Sequence, residues 1–291
     1  VGLTRTAAAA AAGALALSAV GVGAAQAHDR SASSGQQHGG GQSVVGLAAE
    51  GTSVVQLRVG KGVQASPAKK VTGLAGDGRL VGIDHRVQDG KLYGVGDKGG
   101  VYTLDAATGG ATKVAQLTVA LEGKAFGVDF NPAANALRVI SDSGQNLRHP
   151  FATPGAATVA DKPLNSPTAT PPVDRTQGVT AAAYTNNDTD ASTGTVLYDI
   201  STATDQLLIQ SPANSGALVP VGALGVDAQG DAGFDVLSEL RGGKAVGAKA
   251  WASLTVGGTQ GLYEINLVNG SASKVGDLPA GVTDIAVPLA R

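Results

Sequence analysis

Lys91-Leu-Tyr-Gly-Val-Gly-Asp-Lys-Gly-Gly-Val-Tyr-Thr-Leu-Asp105 decides the fold. Gly94, Gly96 and Gly99 give a literal G-x-G-x-x-G, the spacing that cradles a dinucleotide pyrophosphate. That chemistry needs a strand, a glycine turn and then a helix N-terminus. After Gly99 the chain runs Gly-Val-Tyr-Thr-Leu, a strand by composition. The stretch therefore reads as strand, Asp-Lys-Gly turn, strand.

Self-comparison supports this reading. At an offset of 45 residues, Val81-Gly-Ile-Asp-His85 falls on Phe126-Gly-Val-Asp-Phe130, and Asp97-Lys-Gly99 falls on Asp142-Ser-Gly144. Gly94-Val-Gly96 falls on Val139-Ile-Ser141, so only the turn glycine recurs. At an offset of 161, the segment from Val101 to Leu117 matches that from Leu262 to Leu278. Apolar runs of four to seven residues alternate with Asp-x-Gly, Thr-Gly and Asn-Gly turns, among them Thr108-Gly109 and Asn269-Gly270.

A unit of about 45 residues has the size of a four-stranded propeller blade. Gly-x-Asp or Gly-x-Thr markers at Gly82, Gly127, Gly178, Gly233 and Gly281 divide the chain into five units. Only one strand, Asp284-Ile-Ala-Val287, comes after the last marker. The unmarked segment Val44 to Leu74 supplies three strand-like runs: Val44–Leu47, Val54–Leu57 and Lys70 onward. Tail and head together complete a blade and remove the open edge between the ends. The expectation is an all-β, five-bladed propeller closed by pairing of the C-terminal strand with the N-terminal three; six blades is the alternative count.

Composition bounds the rest. The 43 glycines suit a turn-rich β protein. Arg5, the apolar stretch Ala7 to Val22 and Ala25-Gln26-Ala27 read as a signal peptide over residues 1–27, cleaved after Ala27. Residues 28–43, Gly- and Ser-rich and carrying His28 and His38, read as a flexible linker, and 44–291 as a single propeller domain. The expected location is extracellular. Cysteine is absent, so stability rests on burial rather than disulfides. Without the leader the chain has 20 basic and 23 acidic residues, net −3, and no basic stripe. Nucleic acid and anionic membrane are poor partners for such a surface, and no second apolar stretch is long enough to span a bilayer. A monomer is expected.

Gly73-Leu-Ala-Gly-Asp-Gly-Arg-Leu-Val-Gly-Ile-Asp84, Ala125-Phe-Gly-Val-Asp-Phe-Asn-Pro132, Leu137-Arg-Val-Ile-Ser-Asp-Ser-Gly-Gln-Asn-Leu-Arg148 and Val179-Thr-Ala-Ala-Ala-Tyr-Thr-Asn-Asn187 resemble the bacterial domain-of-unknown-function family 4394. The resemblance runs from about Val44 to Val287. It implies an exported, propeller-like domain and carries over no catalytic residue. His85 stands where the family more often has an aromatic.

Three groups of polar residues remain. If the markers open inner strands, Asp84, Asp129, Thr180, Asp235 and Thr283 face the central channel. The three carboxylates would repel unless donors or a cation compensate, and Ca2+ is the ion that suits oxygen ligands. The competing reading is that each Asp caps a backbone turn between blades. Arg138, Asp142, Asn146 and Arg148, with Gln145 and His149, form the richest polar hairpin, and the two arginines could clamp a carboxylate or phosphate. Asn186-Asn-Asp-Thr-Asp-Ala-Ser-Thr-Gly194 places oxygens at alternate positions, but Ala191 and Leu197 stand where a calcium loop needs Gly and Glu. It reads as a polar hairpin with Asx-turns. His149 lacks a ligand partner at zinc spacing, His85 has Asp89 four residues on but in a segment that reads as strand and turn rather than helix, and nucleophile motifs are absent. Trp251 and Tyr263 read as core. The expected function is a non-catalytic binding or scaffold module for a small polar ligand, glycan or protein, requiring no cofactor. The alternatives are a secreted hydrolase or lyase using the channel carboxylates, with or without Ca2+, and a purely structural envelope protein.

Overall fold

The computed structural model describes residues 41–190 and 192–289. The predicted signal peptide and most of the predicted linker lie outside the described residues. The folded chain begins slightly early: β1 (Gln42–Ala48) takes the last two residues of the segment read as linker.

Among the described residues, twenty-one strands form five antiparallel sheets. Blade 1 contains β1, β2 (Ser53–Val59), β3 (Val63–Ala65) and β4 (Lys69–Lys70). Blade 2 is β5 (Leu80–His85), β6 (Leu92–Gly96), β7 (Gly100–Leu104) and β8 (Ala111–Gln116). Blade 3 is β9 (Phe126–Asn131), β10 (Ala136–Ser141), β11 (Asn146–Pro150) and β12 (Val159–Ala160). Blade 4 is β13 (Val179–Tyr184), β14 (Leu197–Ser201), β15 (Gln206–Gln210) and β16 (Leu218–Ala223). Blade 5 is β17 (Ala228–Arg241), β18 (Lys244–Val256), β19 (Thr259–Ile265) and β20 (Ala272–Asp277).

The last strand, β21 (Asp284–Ala286), joins blade 1 rather than blade 5. Val45 faces Ala286 and Leu47 faces Asp284 in its antiparallel register with β1. The ring therefore closes as the split repeat requires. One detail differs: β3 is not apparent in the sequence, and the run expected from Lys70 onward supplies only the two-residue β4; both pair with β2.

The stretch that opened the sequence is a hairpin. β6 and β7 pair from Leu92 with Leu104 to Val95 with Val101. Gly99 turns the chain at φ +81°, a conformation that glycine adopts without a Cβ clash. The next element is a strand and not a helix, so the pyrophosphate geometry does not arise.

Burial explains why five units are needed. Each sheet is apolar on both faces, and a separate core fills each blade interface. Val95 and Tyr93 of blade 2 meet Phe130 and Leu137 of blade 3. Trp251 and Leu262 of blade 5 meet Val44, Leu57 and Ile285 at the closure. Trp251 and Tyr263 are core residues.

The inner strands are β5, β9, β13, β17 and β21. They stand close enough that Cβ atoms are excluded: one added to Gly127 would lie 2.5 Å from the Ala182 backbone nitrogen. That approach fixes the markers' true register. Gly82-Ile-Asp84, Gly127-Val-Asp129 and Gly233-Phe-Asp235 align with Ala181-Ala-Ala183 and Asp284-Ile-Ala286. The markers at Gly178 and Gly281 are thus three residues early, so Thr180 and Thr283 are not equivalent to the three aspartates. Both glycines instead have positive φ, at +77° and +82°, in the connections that enter the strands.

Candidate functional site

Asp84, Asp129 and Asp235 stand one residue layer deep on three inner strands and are buried. One carboxylate oxygen from each lies within 4.8 Å of the other two. Asp284 joins them one layer below, in a register where the other inner strands carry glycine or alanine. Sequence reasoning missed it because the misplaced marker hid it in the closing strand. Aligning Asp284-Ile-Ala286 with the Gly-x-Asp units would have revealed it.

These carboxylates link neighbouring blades. The Phe130 amide donates to Asp84 Oδ2 at 2.7 Å, joining blades 2 and 3. The Tyr184 amide donates to Asp129, joining blades 3 and 4. The Val287 amide donates to Asp235 Oδ2 at 2.5 Å, joining blade 5 to the closing segment. The Ile83 amide donates to Asp284 Oδ2 at 2.8 Å, joining that segment to blade 2. These carboxylates thus tie four of the five seams between inner strands. Their donors are amides of the strands or of the closing segment rather than of turns between blades, and β13, with Ala183 at the equivalent place, offers none to blade 5.

The arrangement has an electrostatic cost. Burial is the largest cause of a raised carboxyl pKa at all four positions, and mutual repulsion adds to it at Asp84, Asp129 and Asp284. Asp235 is pushed up to about 6 despite two backbone donors. The group therefore binds protons more tightly when folded than when unfolded.

The arginine hairpin is only partly assembled as the sequence suggested. Arg138, on β10, is buried; its Nη1 donates to Asn146 Oδ1 at 2.7 Å and Asp161 Oδ2 at 2.8 Å. Its Nη2 reaches Asn214 Oδ1 at 2.7 Å, and its Nε reaches the Tyr184 hydroxyl. Arg148 approaches both oxygens of Asp161 at 3.2 Å. The two arginines do clamp a carboxylate, and it is the chain's own Asp161. A cleft of about 180 Å³ beside them is lined by Arg138, Arg148, Tyr184 and Asn214. Asp142 is at the other end of the hairpin, where it accepts the Lys124 amide at 2.8 Å. Asp97 and Asp205 do the same for Gly78 and Ala228, which makes Asp142 one of a repeated set of turn locks.

A further buried group escaped the sequence. Asp199 is fully buried beside Arg138's blade interface, and neither of its oxygens has a hydrogen-bond partner. Burial raises its carboxyl pKa well above the usual range, only partly opposed by Arg138. His149, grouped with the arginines by sequence, is held at Nδ1 by Thr158 Oγ1 at 3.0 Å. In the 186–194 loop, the amides of Asp188, Asp190 and Ser192 donate to the side chains two residues earlier, a run of Asx-turns as expected.

A family described as "Domain of unknown function (DUF4394)" matches residues 53–286, nearly the whole propeller. The chain belongs to this family. No curated protein matches the DUF4394 chain. Among solved structures it is similar to a structural genomics protein of unknown function from Bacteroides thetaiotaomicron VPI-5482, with 15% identity and a TM-score of 0.50. That match covers 86% of this chain and 65% of the other. It is also similar to the Niastella koreensis GH74 enzyme, with 14% identity, a TM-score of 0.40, and coverage of 86% and 40%. The DUF4394 chain thus spans about two thirds of the first relative and less than half of the second. At these identities the likeness concerns fold alone.

The clefts of the DUF4394 ring share one end. Inner strands β5, β9, β13 and β17 all finish on the side carrying loops 86–91, 132–135 and 185–196. Clefts open there, formed by those loops, by the outer-strand ends of blades 1 and 5, and by the closing segment. The opposite end carries the turns at Asp97, Asp142 and Asp205, together with the longer connections 117–125 and 161–178 that enter β9 and β13.

Proposed function

We propose that this protein is an exported, non-catalytic binding module that takes a small polar ligand, a glycan or a protein at the rim where the inner strands finish. The observation that carries this reading is the asymmetry of the ring. The five clefts described above open at one end, and the turns at Asp97, Asp142 and Asp205 lie at the other. Loops on a rigid β scaffold are where propellers place recognition, and clefts of a few hundred Å³ are the size that takes small ligands. The channel carboxylates support the same reading, since a buried carboxyl already holding a neighbouring blade's amide is poorly placed to reach a substrate. The signal-peptide-like pattern of residues 1–27 and the Gly- and Ser-rich segment after it support export.

The test presents the purified mature chain to a glycan array and to a panel of small acids, and assays it for turnover of polysaccharides and lactones. Saturable binding without turnover is expected. Turnover that Asp84→Asn abolishes while the fold is kept would replace this reading with the hydrolase or lyase.

A second role for the channel is compatible with binding at the rim. The spacing of the Asp84, Asp129 and Asp235 oxygens favours Ca2+ as a structural ion. Thermal unfolding with Ca2+ and with EDTA tests it: a rise with Ca2+ that Asp129→Asn removes supports the ion, and identical midpoints exclude it.

A further inference from the structure

A cleft opens in the ring between blades 1 and 2. Their lower halves pack through Leu47, Val54, Leu80 and Ile83. Towards the rim the sheets part, and a cleft of about 500 Å³ opens. In β1, β2 and β3, Ser43 faces Arg58, Arg58 faces Gln64, and Val45 faces Gln56. One face of blade 1 therefore presents Ser43, Gln56, Arg58 and Gln64 to the cleft. Among the described residues no carboxylate lines it, and blade 2 contributes His85 and Ala106.

His85 is the anomaly. Both ring nitrogens are shut off from water and neither has a hydrogen-bond partner. The nearest influence is the Gly90 backbone, which falls short of hydrogen-bond geometry. An unpaired buried polar atom costs about 1–3 kcal/mol. His85 and Pro288 also line a second cleft of about 370 Å³ at the channel mouth, so the imidazole is the wall between two cavities. A ligand in the cleft would meet a ring nitrogen once the ring turns about its side-chain bonds, since both nitrogens are now closed off.

We infer that the blade 1–blade 2 cleft binds a sugar, with His85 and the Gln56 and Gln64 amides hydrogen-bonding its hydroxyls; this rests on the binding-module reading above. A neutral imidazole offers one donor and one acceptor, which matches neighbouring hydroxyls that each do both. Primary amides and serine hydroxyls have the same dual character. Arg58, exposed and loosely tied to the Gly41 carbonyl at 3.2 Å, gives the cleft a single positive charge and a preference for a carboxylate-bearing sugar. The volume falls within the range of about 300–1,000 Å³ usual for small-molecule sites.

The test uses histidine-ring 15N NMR on the full mature chain with glucose, N-acetylglucosamine and glucuronate. Concentrations up to about 100 mM populate a site of millimolar affinity. The expected result is a saturable shift of the His85 ring signals while those of His149 stay put, with glucuronate binding most tightly. His85→Phe should weaken binding by at least about tenfold, the equivalent of about 1.4 kcal/mol. Gln56→Ala and Gln64→Ala, both on exposed strand positions, should each weaken it by about threefold or more, and they serve as the test if His85→Phe fails to fold. No His85 shift with any of the three sugars overturns the inference, as does sugar binding that all three substitutions leave unchanged. In that second case the binding-module reading survives with its site elsewhere. If the array and the acid panel also yield no ligand, both fail.

Discussion

Replacing Asp235 by Asn removes one buried charge from the channel and keeps the side chain's shape. The wild-type carboxyl is held at about 6, against an ordinary value of 3.8. A folded-state pKa above the unfolded one means that the folded protein binds the extra proton. Its contribution to stability is complete below 3.8 and is lost as pH rises through about 6. The loss amounts to about 3 kcal/mol by pH 8. Asn cannot ionise, so the variant lacks that loss, and Asp84 and Asp129 are relieved of a repelling neighbour. His85 works in the opposite sense. Its pKa is lowered from 6.5 to about 4, so it adds stability as pH rises through the same window. It is common to both proteins, and the difference between them isolates the carboxyl. Asn also leaves one of two backbone donors, Val236 or Val287, poorly satisfied, which costs about 1–3 kcal/mol at every pH. The observable is therefore a slope. Urea unfolding of both proteins in EDTA, from pH 4.5 to 8, should show the variant gaining about 2 kcal/mol on the wild type across the range. For a ring of this size that is a relative midpoint shift of about 4–8 °C. A difference that does not change with pH would refute the claim that Asp235 is strained by its own charge.

Other substitutions probe the packing. Arg138→Ala should cost about 3–5 kcal/mol in urea unfolding, because it strands the buried side chains of Asp161 and Asn146. Arg148→Ala on the same carboxylate should cost about 1 kcal/mol or less, since that side chain is 30% exposed. Ile285→Ala, at the ring closure, should cost about 2–5 kcal/mol in the same assay. Gly127→Ala should lower the melting temperature by more than a surface change, because its methyl would meet the Ala182 backbone.

The fold was legible because repeats speak twice. The copy of Gly94-Val-Gly96 at Val139-Ile-Ser141 separated a turn from a nucleotide motif, and the lone tail strand announced the closure. The site was legible only where the repeat was. Asp84, Asp129 and Asp235 sit in one register, and they meet. Asp284 was concealed by a threonine that mimicked the marker three residues earlier. The partners of Arg138 come from β10–β12, from Tyr184 and from Asn214, and no local pattern joins positions so far apart. Asp142 was grouped with the arginines by proximity in sequence, yet a hairpin carries its turn and its far strand ends to opposite rims. The cleft at His85 is a property of two sheets diverging, which depends on packing angles that sequence does not display.

The central claim is a closed ring whose inner strands are tied by carboxylates, leaving recognition to one rim. Native-state hydrogen exchange at the amides of Ile83, Phe130, Tyr184 and Val287 tests it most directly. All four should exchange only through global unfolding, with one common free energy, although Val287 lies within the last residues of the described chain. If Val287 and Ile83 instead exchange early while Phe130 stays protected, the closure is open and the account is wrong.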